Sequence, residues 1–277
     1  MAHGRRSRIE SLSNPLVKRM RLLREKRHRR AEGLFLAEGL RIATEAREAG
    51  ALPRWLFLAD EGAAAHPLAR VLVDATLASG GEVIDTTPAI LSKLSGKDNP
   101  QTVVGIYAEP KTALADLDRQ AAPIWLVAER LRDPGNLGTM LRTGDAVGAG
   151  GLILLDDSTD PYGVEAVRAS MGAIFTQRLV QARWDEFLAW LRAGPGELVA
   201  TWLGEDTKDY QAVRYAAPTF ILIGNESQGL PETYAAAADV RVKMPMVGKA
   251  DSLNAAVAGA VMAYEVLSQR RDSRHSA

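Results

Sequence analysis

Cysteine is missing altogether from this sequence of 277 residues. That excludes disulfides, thiolate metal sites and cysteine nucleophiles, and it suits a reducing, cytoplasmic setting. Histidine is almost as scarce. His3, His28, His66 and His275 lie far apart, with no H-E-x-x-H or related spacing, so no metal site is expected. No apolar run approaches the roughly 18–20 residues that span a bilayer, and the opening MAHGRRSRIE lacks the apolar stretch of a signal peptide. Nucleotide fingerprints are missing too. There is no G-x-x-x-x-G-K-[ST] loop, and Gly148, Gly150 and Gly151 follow a helical pattern and precede a strand, the reverse of a dinucleotide-binding turn.

Net charge is also lacking, since 34 basic residues balance 34 acidic ones. The balance hides an asymmetry. Residues 1–30 hold eleven Arg or Lys against Glu10 and Glu25, a net of +9, so the remaining 247 residues carry −9. A basic segment of this kind is suited to a polyanion, although a solvated helix face or a frayed tail would have the same composition.

What is present is a 47% apolar composition, enough for one large or two modest cores. From Asn14 to Arg30, Leu16, Val17, Met20 and Leu23 recur at helical spacing among basic residues, which predicts one amphipathic helix ended by Gly33. LFLAE (34–38), RWLFLAD (54–60), GEVIDT (81–86) and TVVGIYAE (102–109) read as strands, with helices near 39–49, 63–79 and 87–95. This alternation predicts a small α/β domain with a mostly parallel sheet. Residues 111–123, within a proline-flanked stretch, form the expected linker. The segments then read as an arm or helix over 1–30, a small domain over 31–110 and a second domain over 124–277. In the second, IWLVAE (124–129), GLILLD (151–156), ELVATWL (197–203), TFILIG (219–224) and VRVKMP (240–245) are near-continuous apolar runs, as in a parallel sheet covered on both faces. A final helix carries Leu253, Ala256, Val257, Ala260, Val261, Tyr264 and Leu267 on one period, with Asp251 and Ser252 as candidate N-caps.

Glycine and small polar residues cluster where the second set of strands ends, the place where α/β sheets bind ligands. In ERLRDPGNLGTMLRTGDAVG (129–148), Asp133 and Pro134 form a helix start, Asn136 falls in the first turn and Arg142 lies about 9 Å further along the axis. A plain capped helix with Arg142 paired to Asp145 fits the segment equally. GNESQGL (224–230) sets Glu226 between two glycines after a strand, and a surface turn fits as well. MPMVGKADSLNAAVAGA (244–260) leads into the final helix, where Ser252 and Asn254 could simply cap.

Taken in order, D-P-G-N-L-G-T-M-L-R-T (133–143), G-N-E-S-Q-G-L (224–230) and M-P-M…D-S-L-N (244–254) resemble the three motifs of the SpoU/TrmH branch of the SPOUT RNA methyltransferases. R-A-S-M-G-A-I-F (168–175) is similar to the stretch between the first two motifs. I-x-S-L-S-N-P-L-V-K (9–18) and G-L-F-L-A-E-G-L-R (33–41) resemble the substrate-binding domain of several members, which is similar to a ribosomal L30e-type protein. The resemblance implies an L30e-like α/β/α domain, then a trefoil-knotted α/β domain with a mainly parallel sheet, one of the rare exceptions to unknotted chains.

The resemblance implies S-adenosyl-L-methionine as cofactor, contacted by Gly224, Met244 and Leu253. It implies a catalytic set of Arg142, Asn136, Glu226, Ser252 and Asn254, and a homodimer with its sites near the interface. The expected activity is methylation of a ribose 2′-hydroxyl in structured RNA, ribosomal RNA (23S) before transfer RNA, with neither membrane nor DNA as partner. Transfer RNA as substrate, methylation of a base nitrogen, and a non-catalytic RNA-binding assembly factor are the alternatives. Gly144 stands where the family often has Ala, and Ala255 and Ala256 replace a bulkier pair.

Overall fold

Short apolar runs that alternate with amphipathic segments bury best as sheets covered by helices, and the computed structural model, which describes residues 4–59 and 66–275, is built this way. It divides into two compact units, Met1–Lys111 with Asp160–Thr176, and Thr112–Thr159 with Gln177–Ala277.

The first unit holds β1 (Arg5–Arg8), β2 (Leu34–Glu38), β3 (Trp55–Ala59), β4 (Glu82–Thr86) and β5 (Val103–Ala108) in the order β1-β4-β3-β5-β2. Helices α1 (Pro15–Arg21), α2 (Lys26–Glu32), α3 (Leu40–Glu48), α4 (Pro67–Ala78) and α5 (Pro88–Ser95) surround it. On one face Leu36, Phe57, Ile84 and Ile106 meet Val17, Met20 and Leu23, while on the other Leu56, Leu58 and Val83 meet Ala43 and Leu72. The expected mostly parallel sheet is corrected here, because β5 runs antiparallel to both β2 and β3. A strand buried on both faces is apolar whichever way it runs, so its direction leaves no mark on the pattern. The expected helix to residue 79 is present from Pro67, and its proposed start at 63–65 lies outside the described residues.

The basic segment is partly built into this unit. Arg5–Arg8 add a parallel edge strand to β4, with Arg5 paired to Glu82 and Arg6 to Asp85, each at 2.8 Å. The single helix expected over 14–30 is interrupted. A 3-10 turn at Leu22–Arg24 and an extended Glu25 separate α1 from α2, which Gly33 closes with φ +63°. The break lets the buried Arg29 donate to the Leu23 carbonyl at 2.7 Å.

The second unit is a seven-stranded sheet in the order β10-β12-β9-β11-β6-β7-β8. The strands are β6 (Ile124–Glu129), β7 (Gly151–Leu155), β8 (Arg178–Ala182), β9 (Glu197–Thr201), β10 (Lys208–Asp209), β11 (Thr219–Ile223) and β12 (Val240–Lys243), and every neighbouring pair is parallel. Helix α6 (Pro134–Val147) joins β6 to β7. After β7 the chain forms α7 (Val164–Ala169) and resumes with β8, α8 (Trp184–Arg192) and α9 (Glu232–Ala236), ending in α10 (Ala255–His275). Helix α10 packs on α6 and on β11. β8 and α8 were not foreseen; R-L-V-Q-A is short and half polar, and its pairing with β7 makes it a strand.

Residues 160–176 pack with the first unit, not with the sheet they connect in sequence. Tyr162 and Phe175 join Phe35 and Tyr107 in a cluster with ring centroids 4.8–5.8 Å apart. Asp160 pairs at 2.6 Å with the buried Arg29. Breaking such a pair leaves an uncompensated charge in a low dielectric, so this segment and the basic one hold each other in place.

Candidate active site

The three glycine-rich segments converge at the C-terminal edge of the second sheet. Asp133 accepts from the Asn136 backbone N–H at 2.7 Å and so starts α6, with Pro134 in its first turn. That cap presents the Asn136 side chain to the turn after β11. Gly224 opens this turn because nothing larger fits. A Cβ there would lie 2.4 Å from the backbone of Gly229 and Leu230, while Gly229 itself adopts φ +66°.

Of the candidate caps of α10, Asp251, Ser252 and Asn254, the structure uses the last. Asp251 and Ser252 lie before the helix. Asn254 is the cap, its Oδ1 accepting from Ala256 at 2.9 Å and Val257 at 3.3 Å. Sequence pattern admits any of these residues, and the backbone turn selects the one whose oxygen faces the first free N–H groups.

Capping commits Asn254 Oδ1 and turns its Nδ2 outward. That group donates to Asn136 Oδ1 at 2.9 Å, and Asn136 Nδ2 donates to Glu226 Oε1 at 3.0 Å. Glu226 also accepts from the backbone N–H groups of Asp133 and Arg132, each at 3.2 Å. The series is directional. The helix N–H groups orient Asn254, Asn254 orients Asn136, and a carboxylate that can only accept ends the chain. Partial burial pushes the Glu226 carboxyl up, but the hydrogen bonds from Asn136 and from backbone amides outweigh it and hold the group below the usual carboxylate range. Glu226 is therefore an ionised anchor at neutral pH.

Beside this chain lies a cavity of about 490 Å³. Gly224, Met244 and Leu253, the three expected cofactor contacts, all line it, as do Glu226 and Ser252. Ser252 Oγ bonds to Asp251 at 3.2 Å. Arg142 stands apart, exposed on α6, outside the hydrogen-bonded chain and the cavity lining. Sequence reasoning missed Thr201, Trp202 and Leu203, which follow β9 and line the cavity. Their signal was their place at the carboxyl end of an apolar strand. It also missed Asn225, buried in the turn after β11.

The lining fits a nucleoside cofactor carrying a thioether or sulfonium group. Ile223, Leu230, Val242, Met244 and Leu253 offer apolar surface, with a few polar groups such as Thr201 and Ser252 to orient it. Among the described residues no group of acidic or histidine side chains could hold a metal, and no helix is long and apolar enough to cross a membrane.

Comparison with known proteins matches two stretches of the chain. Residues 123–264 match the model of the SpoU rRNA Methylase family, and residues 14–105 match the MRM3-like substrate binding domain. The chain is 32% identical over 262 residues to the 23S rRNA (uridine(2479)-2'-O)-methyltransferase of Streptomyces viridochromogenes, covering 91% of this chain and 89% of that one. It is 26% identical over 258 residues to the 23S rRNA (guanosine(2553)-2'-O)-methyltransferase RlmP of Bacillus subtilis, with 93% and 98% covered. Among solved structures, the AdoMet-bound rRNA methyltransferase from Sinorhizobium meliloti superposes with a TM-score of 0.87 at 37% identity, covering 96% and 98% of the two chains.

Proposed function

The chain belongs to the SpoU rRNA Methylase family, and we propose on that footing that it methylates a ribose 2′-hydroxyl of ribosomal RNA with S-adenosylmethionine. The observation that carries the reading is the hydrogen-bonded series Asn254–Asn136–Glu226, which ties one residue from each of three segments together beside a cofactor-sized cavity.

When bound, the cofactor supplies an electrophilic methyl group open to in-line attack. The protein's contribution is mainly orientation, which is worth several kcal/mol in such displacements. Gly224, Met244 and Leu253 hold the cofactor, the first through backbone and the others through apolar contact. Glu226 has a lowered proton affinity and three donors already on it, so it serves to fix Asn136 rather than to take the hydroxyl proton. Asn136 and Asn254 then present amide groups of defined direction to the ribose. Arg142 acts as cation. A guanidinium is a fixed cation in a protein, so it suits stabilising developing alkoxide charge and clamping a neighbouring phosphate better than acting as base.

The location of Arg142 away from the cavity accords with a homodimer in which two copies complete each site. An apolar stripe on the last helix supports the same reading, with Val257 46% and Tyr264 53% exposed and Leu253 just ahead of it at 38%. The trefoil knot and the cytoplasmic setting belong to this reading as well. Light scattering on the purified protein reports the dimer directly, and a monomeric mass would remove that part.

The test of the activity supplies tritiated S-adenosylmethionine with ribosomal RNA and bulk transfer RNA as separate acceptors. Label in alkali-resistant dinucleotides from ribosomal RNA is the expected result. Label only from transfer RNA moves the substrate class, label only in alkali-sensitive mononucleotides indicates base methylation, and no label favours an RNA-binding assembly factor.

A further inference from the structure

Asn225 is not among the residues to which the family resemblance attaches a role, yet its side chain makes more hydrogen bonds than any member of the Asn254–Asn136–Glu226 series. It is 7% exposed. Its Oδ1 accepts from Ser227 N–H at 3.0 Å, Ser227 Oγ at 2.8 Å and Gln228 N–H at 3.2 Å, which shapes the turn over the cavity. Its Nδ2 points the other way and donates at 2.7 Å to the carbonyl of Arg130.

Arg130 is where β6 becomes the segment leading into α6. It holds φ +42°, a left-handed backbone that non-glycine residues adopt only when their surroundings impose it. Three hydrogen bonds impose it here. Its N–H donates to Leu155 at 3.2 Å, its guanidinium reaches Gln228 Oε1 at 3.2 Å, and Asn225 takes its carbonyl. Two and three residues on, the N–H groups of Arg132 and Asp133 bond Glu226. The turn at 225–228 thus grips the whole approach to α6.

We propose that Asn225, through its hydrogen bond to the Arg130 carbonyl, is a positioning residue that sets the start of α6, and with it Asn136, in register with the cofactor cavity. Its two ends carry separable jobs. Oδ1 builds the cavity turn, and Nδ2 aligns the catalytic helix.

Asn225→Asp separates them. The variant keeps the acceptor and replaces the donor with an oxygen facing the Arg130 carbonyl. Three quantities are measured: the single-turnover rate of methyl transfer to RNA, the Kd for S-adenosylmethionine by calorimetry, and hydrogen exchange of the amides of residues 131–136. The expected result is a rate at least tenfold lower, a Kd within threefold of the parent and faster exchange. Asn225→Ser, too short to reach Arg130 but still an acceptor for the turn, gives the same split and serves if the aspartate variant does not fold. Asn225→Ala loses both jobs and weakens cofactor binding as well. An unchanged rate in the aspartate variant overturns the proposal, and so does a rate loss matched by an equal loss of cofactor affinity. The rate arm rests on the methyltransferase reading. If the parent enzyme transfers no methyl, that reading falls, while unchanged exchange at 131–136 would still refute the clamp on its own.

Discussion

Replacing Asn136 by Asp tests whether the directional hydrogen-bonded series organises the site. Asparagine and aspartate have nearly the same shape, so the variant changes one thing, a donor into a carboxylate oxygen. In the parent, Asn136 Nδ2 stands 3.0 Å from Glu226 Oε1. In the variant two carboxylates share that contact, with charge centres about 4 Å apart. Their repulsion is about 1 kcal/mol in water and about 4 kcal/mol at the effective dielectric of a protein surface. Glu226 is exposed and Asn136 half-buried, which places the cost near the lower figure, about 1–2 kcal/mol. The lost hydrogen bond adds about 1 kcal/mol. Asn136→Ala loses two hydrogen bonds without repulsion, about 2 kcal/mol. At pH 8 the two variants should therefore be comparably impaired, each about 30-fold or more below the parent.

Lowering the pH separates them. The carboxylate pair takes up one proton, and the mutual repulsion raises that uptake above the ordinary carboxylate range. Protonation restores the missing donor, so the aspartate variant recovers and the alanine variant does not. The assay is single-turnover methyl transfer with saturating cofactor, read as the ratio of the two variants as pH falls from 8 through the range in which the pair takes up its proton. Taking the ratio cancels the pH dependence of everything they share. A ratio that stays flat would show that Asn136 and Glu226 do not form a functional contact, and would refute the reasoning.

Arg142→Ala should abolish methyl transfer while leaving the Kd for S-adenosylmethionine unchanged; Arg142→Lys should also be strongly impaired, and near-full activity in the lysine variant would eliminate a bidentate clamp. Gly224→Ala forces a methyl to within 2.4 Å of the Gly229–Leu230 backbone and should cost about 1–3 kcal/mol, seen as a tenfold or greater loss of cofactor affinity by calorimetry; unaltered affinity would mean that the turn does not shape the cavity. Glu129 is buried at the end of β6, and burial pushes its carboxyl above the usual range. An acid whose proton affinity rises on folding binds more protons in the native state, so its contribution to stability falls as pH rises through the folded value. Glu129→Gln should therefore raise the urea midpoint at pH 7, with the gain vanishing near pH 4, and an equal change at both pH values would contradict the burial argument.

Much of the second unit was legible because parallel strands covered on both faces are continuous apolar runs, and five of its strands stand out as such. The two it did not reveal are informative. β8 is half polar and β10 has two residues, so neither has a pattern of its own, and pairing with a neighbour defines each. The segment 160–176 shows the same limit at larger scale. Nothing in Tyr162 or Phe175 says that they bury against Phe35 and Tyr107, more than fifty residues earlier, because an aromatic side chain encodes an appetite for burial and not an address.

At the candidate site, the residue types and their order along the chain were set by sequence. Asp133 before Pro134 dictates a helix start, and glycines at 224 and 229 dictate a tight turn, since both are local preferences of a few neighbouring residues. Which cap begins α10, that Asn254 and Asn136 share a hydrogen bond across 118 residues, and that Asn225 reaches Arg130 across 95 were decided by tertiary structure. Those contacts depend on where three strand ends finish in one sheet, and that position comes from the packing of the whole unit.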